Sequence, residues 1–252
     1  MAIFVTSDWH FGHDREFIWK PRGFQNLEEH DETIIHNHNT FVAPEDDVYV
    51  LGDLMLGDAE HGLDCIKRMN GKLHIVLGNH DTDRRVALYR SLPQVVEIAD
   101  AIKLKYNGYH FFLCHYPTMT GNLERESLKQ MTCNIFGHTH QKTYFYNDIP
   151  YMFHCGVDSN MCYPVPIPEV IGMMKAKVEE CKSFLDEPEE PKPKVKDTWE
   201  NDEFLRTYKE SECDKCVWFS NSCSGPTFNC GRPHCPPGMK YKRDPPDGGY
   251  YG

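Results

Sequence analysis

The chain has 252 residues and a formal net charge of −11, with 40% hydrophobic and 26% charged side chains. This length suits one large domain with its own core plus a small appendage, and the composition is ordinary for a globular protein. Ten acidic and ten basic side chains fall in residues 190–252, so residues 1–189 carry the whole net charge, which disfavours extended nucleic acid as a partner.

The N-terminal residues predict a strand and not a targeting signal. Residues 1–8 (MAIFVTSD) lack a basic n-region and turn polar after five residues. No apolar run approaches the ~18 residues that a bilayer-spanning helix needs, so no membrane association is expected. The odd number of cysteines, eleven, and their scattered positions favour reduced thiols and a cytoplasmic location.

Five short β-rich runs each stop at a polar residue that is able to bind a metal. Such runs, bounded by Gly or polar turns, are typical of buried strands. They are Ile3–Thr6, Asp47–Leu51, Leu73–Leu77, Tyr109–Cys114 and Cys133–Phe136.

Helical patterns separate these strands and follow them. The predicted helices are Leu27–Phe41, Glu60–Met69, Asp83–Leu92, Leu123–Met131 and Pro168–Leu185. Strands that alternate with helices indicate an α/β domain. In open α/β folds, ligands gather outside the carboxyl ends of the strands, where all five polar motifs fall.

The chain divides into three parts by composition. Residues 1–185 hold the alternating pattern and form the predicted main domain. Residues 186–196 are rich in Pro and charge and predict an extended linker. Residues 197–252 form a Cys-rich C-terminal module with few aliphatic side chains.

The polar residues after the strands form an ordered set of candidate metal ligands. Asp-x-His and His-x-His would each place two side chains on one face of a strand end, because strand side chains alternate. Carboxylates and imidazoles with one amide suit Mn, Fe, Zn or Ni better than an all-oxygen Mg or Ca cage. The set is Asp8, His10, Asp53, Asn79, His115, His138 and His140.

Seven ligands are too many for a single ion. They suit two divalent ions ~3.5–4 Å apart that share a carboxylate, which activate a bridging water for in-line attack at phosphorus. The sequence therefore predicts a dinuclear phosphoesterase.

The order D-x-H, G-D, G-N-H-D, H, G-H-x-H resembles that of the calcineurin-like metallophosphoesterases, over roughly residues 1–170. The segments HFGH at 10–13, KPRGF at 20–24, GVD at 156–158 and YPV at 163–165 resemble a compact bacterial and phage subgroup of phosphohydrolases. The resemblance implies a four-layer αββα sandwich of two mixed sheets flanked by helices.

The resemblance also implies a role for each residue. Asp8, His10 and His140 would hold one ion. Asn79, His115 and His138 would hold the other, and Asp53 would bridge the two. His80 would protonate the leaving oxygen or stabilise its charge, and Asp81 would orient His80.

Several neighbouring residues have two interpretations. His13, Arg22 and Tyr116 are candidate substrate contacts; the alternatives are a loop or cap histidine, a solvated turn arginine and a packing tyrosine. His154 is open between a residue supporting a ligand and a structural one. Arg84 and Arg85 are predicted to be surface charges on a helix. Five histidines are predicted to be structural or on the surface: His36, His38, His61, His74 and His110.

Two pairs of cysteines near the C-terminus predict a structural zinc site. Their spacing is normal for such a site, and a tail with almost no aliphatic core needs a stabilising element of this kind. The predicted ligands are Cys213, Cys216, Cys230 and Cys235, with Cys223 or His234 as substitutes. The alternative is an unstructured tail with reduced cysteines. With zinc bound, the module would contact a protein partner or position substrate.

The leading functional hypothesis is hydrolysis of a small phosphate ester, with phosphodiesters or nucleotide-like molecules slightly favoured. The short spacing between Asp81 and His115 leaves little room for a large cap domain, so an open site is expected. One alternative is a single-strand nuclease, against which the negative charge counts. The other is an inactive binding module, although all seven ligands and His80 are present.

Overall fold

The computed structural model describes residues 1–186, apart from Glu124 and Glu126. Within this part the strands are β1 Ile3–Thr6, β2 Asp47–Leu51, β3 Lys72–Val76, β4 Val95–Ala99, β5 Ala101–Tyr106, β6 Tyr109–Cys114, β7 Thr132–Phe136, β8 Met152–His154 and β9 Val165–Pro166. The helices are α1 Glu16–Trp19, α2 Leu27–Phe41, α3 Ala59–Lys67, α4 Asp83–Tyr89 and α5 Ile167–Asp186, and a 3₁₀ turn covers Tyr146–Asp148.

The strands form two mixed sheets. The first has the order β4-β3-β2-β1-β9, in which β1 to β4 are parallel and β9 runs antiparallel to β1. The second has the order β5-β6-β7-β8, in which only β5 is antiparallel to its neighbour. This arrangement confirms the predicted α/β fold of two mixed sheets with helices.

The first sheet separates two hydrophobic cores. Its side chains alternate between faces, so Phe4 belongs to one core and Val5 to the other. The Phe4 core also contains Ile34 of α2, Ile66 of α3 and Tyr89 of α4. The Val5 core joins side chains of both sheets to α5 through Leu51, Phe111, Ile135, Phe153 and Met174.

Several predicted elements match the structure closely. Strands β1, β2 and β6 and helix α2 have the predicted bounds. Helix α2 begins there because the Asn26 side chain accepts a hydrogen bond from the Glu29 amide, at 2.9 Å. No described helix has both the length and the apolar character needed to cross a membrane.

The predicted helix Leu123–Met131 is wrong. The described residues of this segment form turns, in which the Ser127 carbonyl accepts from the amides of Gln130 and Met131. The chain cannot continue as a helix, because Thr132 enters β7 and its amide bonds to the Gly121 carbonyl.

The linker and the Cys-rich module lie outside the described residues from position 187 onward. The zinc ligands Cys213, Cys216, Cys230 and Cys235 therefore stay a prediction.

His38 makes the fold sensitive to acid. It is buried beside Trp9, and its Nε2 lies 2.9 Å from the Asn70 carbonyl. Burial lowers the pKa of His38 from 6.5 to about 4. The unfolded chain therefore binds a proton that the folded chain excludes, and stability falls as pH drops from 6.5 towards 4.

We expect this residue to remove about 2 kcal/mol of unfolding free energy between about pH 7.5 and about pH 5. Urea unfolding at both pH values should show a smaller acid loss in His38→Gln than in the wild type. His36→Gln, an exposed position on the same helix, should lose as much as the wild type. Equal acid losses in His38→Gln and wild type would contradict the assignment.

Candidate metal centre

The two sheets meet at the edge where the candidate ligands converge. Ser7, just after β1, forms a parallel bridge with Gly156, just after β8, and so ties the sheets together. Two groups of side chains that could each bind a metal ion lie at this edge. Within each group, the donor atoms all lie within 4.8 Å of one another. The groups are Asp8, His10 and His140, and Asp53, His115 and His138.

The local geometry corrects the reasoning that led to these residues. Strand β1 ends at Thr6 and β7 ends at Phe136, so neither His-containing pair lies on a strand. Instead, five candidate ligands have left-handed backbones, a conformation that costs of order 1–3 kcal/mol at a non-glycine residue. Their φ values are 60° for Asp8, 53° for His10, 55° for Asp53, 68° for His138 and 49° for His140.

Backbone hydrogen bonds hold these strained loops together. The Asp8 amide donates to the Gly52 carbonyl and the His10 amide to the Asp53 carbonyl, both at 3.0 Å. The His138 amide donates to the Asp8 carboxylate, at 2.9 Å to Oδ2. The loops after β1, β2 and β7 therefore position one another.

Close backbone approach explains the glycine before Asp53. A Cβ on Gly52 would lie 2.5 Å from Nδ1 of His115 and 2.7 Å from the backbone of Gly78, and its φ is +92°. Any larger residue would push apart the loops that carry the second group of ligands.

His10 has the strongest requirement for a bound ion. Both of its ring nitrogens are buried and have no hydrogen-bond partner in the described part of the chain. Burial lowers the pKa of His10 well below its ordinary value, so the imidazole is neutral, which is the form that binds metal. Orphaned buried nitrogens are costly, and a cation held with Asp8 and His140 would satisfy one of them.

The second group fits a cation as well. Nδ1 of His115 lies 2.8 Å from the Leu51 carbonyl, which leaves Nε2 facing the cluster. There it lies 3.0 Å from Oδ1 of Asn79, 3.2 Å from Nδ1 of His138 and 3.5 Å from Oδ2 of Asp53. Burial lowers the pKa of His115, but the carboxylates of Asp53 and Asp8 outweigh it and raise the pKa. Positive charge is thus favoured here.

Asp53 belongs to the second group and also faces the first. Its Oδ2 is 3.8 Å from Nε2 of His10 and 3.5 Å from Nε2 of His115. Burial raises the pKa of Asp53, yet the surrounding histidines and the His80 amide lower it to about 2, so the carboxylate is ionised. An ionised carboxylate that faces both groups is in the position expected of a bridging ligand.

His80 and Asp81 do not form the expected pair. The His80 side chain is 40% exposed, and its Nε2 lies 3.9 Å from Oδ2 of Asp53, at the rim of the site. The Asp81 carboxylate instead accepts from the amides of Asp53 and Gly78, both at 2.8 Å, and from the Tyr89 hydroxyl at 2.7 Å. Asp81 therefore fixes two ligand loops and not the His80 ring, because its side chain points into the buried turn.

Arg22 has a structural environment and not that of a substrate contact. Its side chain is 1% exposed and pairs with Asp158, with bonds of 3.0 Å to Oδ1 and 2.8 Å to Oδ2. It also donates to the Asp8 carbonyl at 2.9 Å. These bonds occupy the guanidinium of Arg22, which therefore supports the loop that carries Asp8.

Asp158 is the supporting residue that sequence reasoning missed. Its Oδ2 lies 2.8 Å from Nδ1 of His140, which leaves the other ring nitrogen of His140 for a cation. Burial raises the pKa of Asp158, but bonds to His140 and Arg22 outweigh it and hold the pKa well below its usual range. Only its place in the Gly-Val-Asp segment marked it in the sequence.

The other uncertain residues divide between the rim and the interior. The ring centroid of Tyr116 lies 4.7 Å from that of His138 and 5.0 Å from that of His115, so Tyr116 flanks the second group. His154 is fully buried and bonds to the Ser159 hydroxyl at 2.9 Å, within the turn that presents Asp158. His154 thus supports the site indirectly.

A cavity of about 670 Å³ opens beside the first group. Four histidines line it, His10, His13, His80 and His140. The other lining residues are the apolar Phe17, Ile18, Pro21 and Leu56 and the charged Lys142 and Asp158. His13 is thereby brought to the site, with its ring 5.6 Å from those of His10 and Phe17.

The chain is similar in sequence to an archaeal protein and to a phage protein. The chain is 35% identical over 117 residues to an uncharacterized protein of Methanocaldococcus jannaschii, a match that covers 46% of this chain and 58% of that protein's length. It is 27% identical over 178 residues to the gene 66 protein of Mycobacterium phage L5, covering 61% of this chain and 85% of the phage protein.

Among solved structures, a protein of unknown function from Aquifex aeolicus superposes with a TM-score of 0.51 at 25% identity, covering 68% of this chain and 98% of its own. The model of the calcineurin-like phosphoesterase superfamily domain matches residues 1–157, which hold every candidate active-site ligand. The chain therefore belongs to the calcineurin-like phosphoesterase superfamily.

Proposed function

We propose that this chain hydrolyses phosphodiesters or nucleotide-like phosphate esters with two divalent metal ions, one held by each group of ligands, with Asp53 shared between the ions. The observation that carries the proposal is the pair of donor groups, with His10 buried and unpartnered in one of them. Bound there, two cations would polarise a phosphoryl oxygen and lower the pKa of water.

His80 is proposed as the acid that protonates the leaving oxygen. Its ring is exposed enough to reach substrate and lies edge-on to His10, with centroids 5.6 Å apart. The His80 amide donates to Oδ1 of Asp53 at 2.9 Å, and Arg85 bonds to the His80 carbonyl, so the backbone is held while the ring stays free. General acids of this kind contribute about 10²–10⁴ in rate.

The cavity supports an organic group on the substrate. Phe17 is 69% exposed, an unusual state for a large aromatic side chain, and it lines the cavity. Aromatic rings stack on bases and on other flat groups. We therefore propose that Phe17 contacts the group attached to phosphorus.

His80→Asn should lower kcat by about 10²–10³ with Mn²⁺ present, because the leaving oxygen loses its proton donor. Aryl phosphodiesters with leaving groups of graded acidity give the sharpest measurement. The loss should shrink as the leaving group becomes more acidic, since such groups depart without protonation. His36→Asn serves as a control away from the site. A loss of the same size for every leaving group would argue against an acid role.

Phe17→Ala should raise KM for an aryl or nucleoside phosphodiester by about tenfold and leave kcat nearly unchanged, as expected for loss of stacking worth about 1–3 kcal/mol. Met119→Ala, an equally exposed apolar position outside the cavity, is the matched control. An unchanged KM in Phe17→Ala would remove this residue from the substrate site.

Adding short single-stranded oligonucleotides to the substrate panel tests the nuclease alternative directly.

Asp158→Asn should raise the Mn²⁺ concentration for half-maximal activity by about 10–100-fold, because His140 loses the carboxylate that orients it. Activity at saturating Mn²⁺ should recover most of its wild-type value. Asp148→Asn, an exposed carboxylate paired with Lys177, is the control. A Mn²⁺ dependence like that of the wild type would show that Asp158 does not support a metal ligand.

A further inference from the structure

A second type of donor cluster lies between α2 and α3, away from the residues of the proposed active site. Asp31 of α2 meets His61 and Cys65, which stand one turn apart on α3. Nε2 of His61 lies 2.8 Å from Oδ2 of Asp31 and 3.5 Å from Sγ of Cys65, and Sγ lies 4.0 Å from Oδ2. The cluster shares no residue with either catalytic group.

These distances suit a tetrahedral transition-metal ion. Carboxylate, imidazole and thiolate ligands bonded at ~2.0–2.3 Å to zinc lie about 3.4–3.6 Å apart when the angles are tetrahedral. The three separations bracket this range, and a shift of about half an ångström would bring them into it. One oxygen, one nitrogen and one sulfur donor select zinc-like ions over magnesium or calcium.

A bound cation would balance the buried charge of Asp31. Asp31 is 1% exposed, and in the described part of the chain no Lys or Arg side chain bonds to its carboxylate. Its partners are the Gly12 amide at 3.1 Å and the rings of His30 and His61. Arg68, the residue that caps the C-terminal end of α3, is paired with Glu32. A buried carboxylate without a fixed positive partner is costly.

The cluster is also accessible to an ion. The His61 side chain is 43% exposed, so one side of the cluster faces solvent, from which an ion enters and where a water can complete the tetrahedron. Cys65, by contrast, is buried at the base of the cluster. Its thiol would release a proton on binding, so affinity should fall in acid.

We propose that Asp31, His61 and Cys65 form a third, non-catalytic metal site for Zn²⁺ or a similar transition-metal ion. The site joins α2 to α3 and, through Asp31, holds the Gly12 amide in the loop between His10 and His13. On the other side of Asp31, His30 lies 2.7 Å from a guanidinium nitrogen of Arg22, which braces the catalytic loop. The sequence predicted a structural or surface position for His61, and the proposal adds the role of a metal ligand.

The test compares metal content among variants of the full-length protein. Each protein is dialysed to equilibrium against micromolar Zn²⁺, and bound zinc is measured by elemental analysis. His61→Ala should bind one equivalent fewer than the wild type, and the exposed control His36→Ala should bind as much as the wild type. The catalytic ligands and the C-terminal cysteines are common to all of these proteins and cancel in the comparison.

A second measurement identifies the thiolate. Replacement of zinc with Co²⁺ gives a thiolate-to-cobalt charge-transfer band, which should be weaker in Cys65→Ser and unchanged in Cys181→Ser, a half-buried cysteine on α5. Zinc should also raise the Tm of the wild type more than that of His61→Ala. Equal zinc content in His61→Ala and wild type, with an unchanged cobalt band in Cys65→Ser, would overturn the proposal.

Discussion

The buried carboxylate of Asp53 is the constraint on which the rest of the site depends. A negative charge with almost no access to water must be balanced nearby. His10, His80 and His115 direct ring nitrogens towards the same oxygen from three different loops, at 3.5–3.9 Å. These separations are longer than hydrogen bonds and leave room for cations between the groups. The architecture of both sheets serves to bring those loops to one carboxylate.

This convergence stores backbone strain. Five candidate ligands adopt left-handed conformations directly after buried strands, and such residues persist only where their surroundings hold them. The Asp81 carboxylate holds the loops of Asp53 and Gly78 by accepting hydrogen bonds from their amides. The Asp8 carboxylate holds the His138 loop in the same way. The residues that form the family's sequence motifs thus also bond to one another, and they make up a hydrogen-bonded frame that holds the ligand loops.

A line of polar contacts connects this frame to the helical layer. It runs from His140 through Asp158, Arg22 and His30 to Asp31, with heavy-atom separations of 2.7–3.0 Å. Arg22 supplies the fixed positive charge for Asp158, which in turn orients His140. Beyond His30, no such charge among the described residues stands beside Asp31, and this imbalance supports the metal site proposed between α2 and α3.

The sequence by itself determined the α/β alternation, the bounds of β1, β2, β6 and α2, and the candidate ligands, because apolar periodicity and residue chemistry are local properties. It did not reveal α1, β8 or β9, which are too short to carry a pattern. It also missed β4 and β5, whose side chains are mostly not buried and so form no clear apolar run; these strands exist through pairing with β3 and β6. Only the tertiary structure decided that Arg22 braces a loop, that Asp81 binds backbone amides and that Asp158 supports His140. Those roles depend on which side chains, up to 136 positions apart, share one buried volume, and no local pattern encodes that proximity.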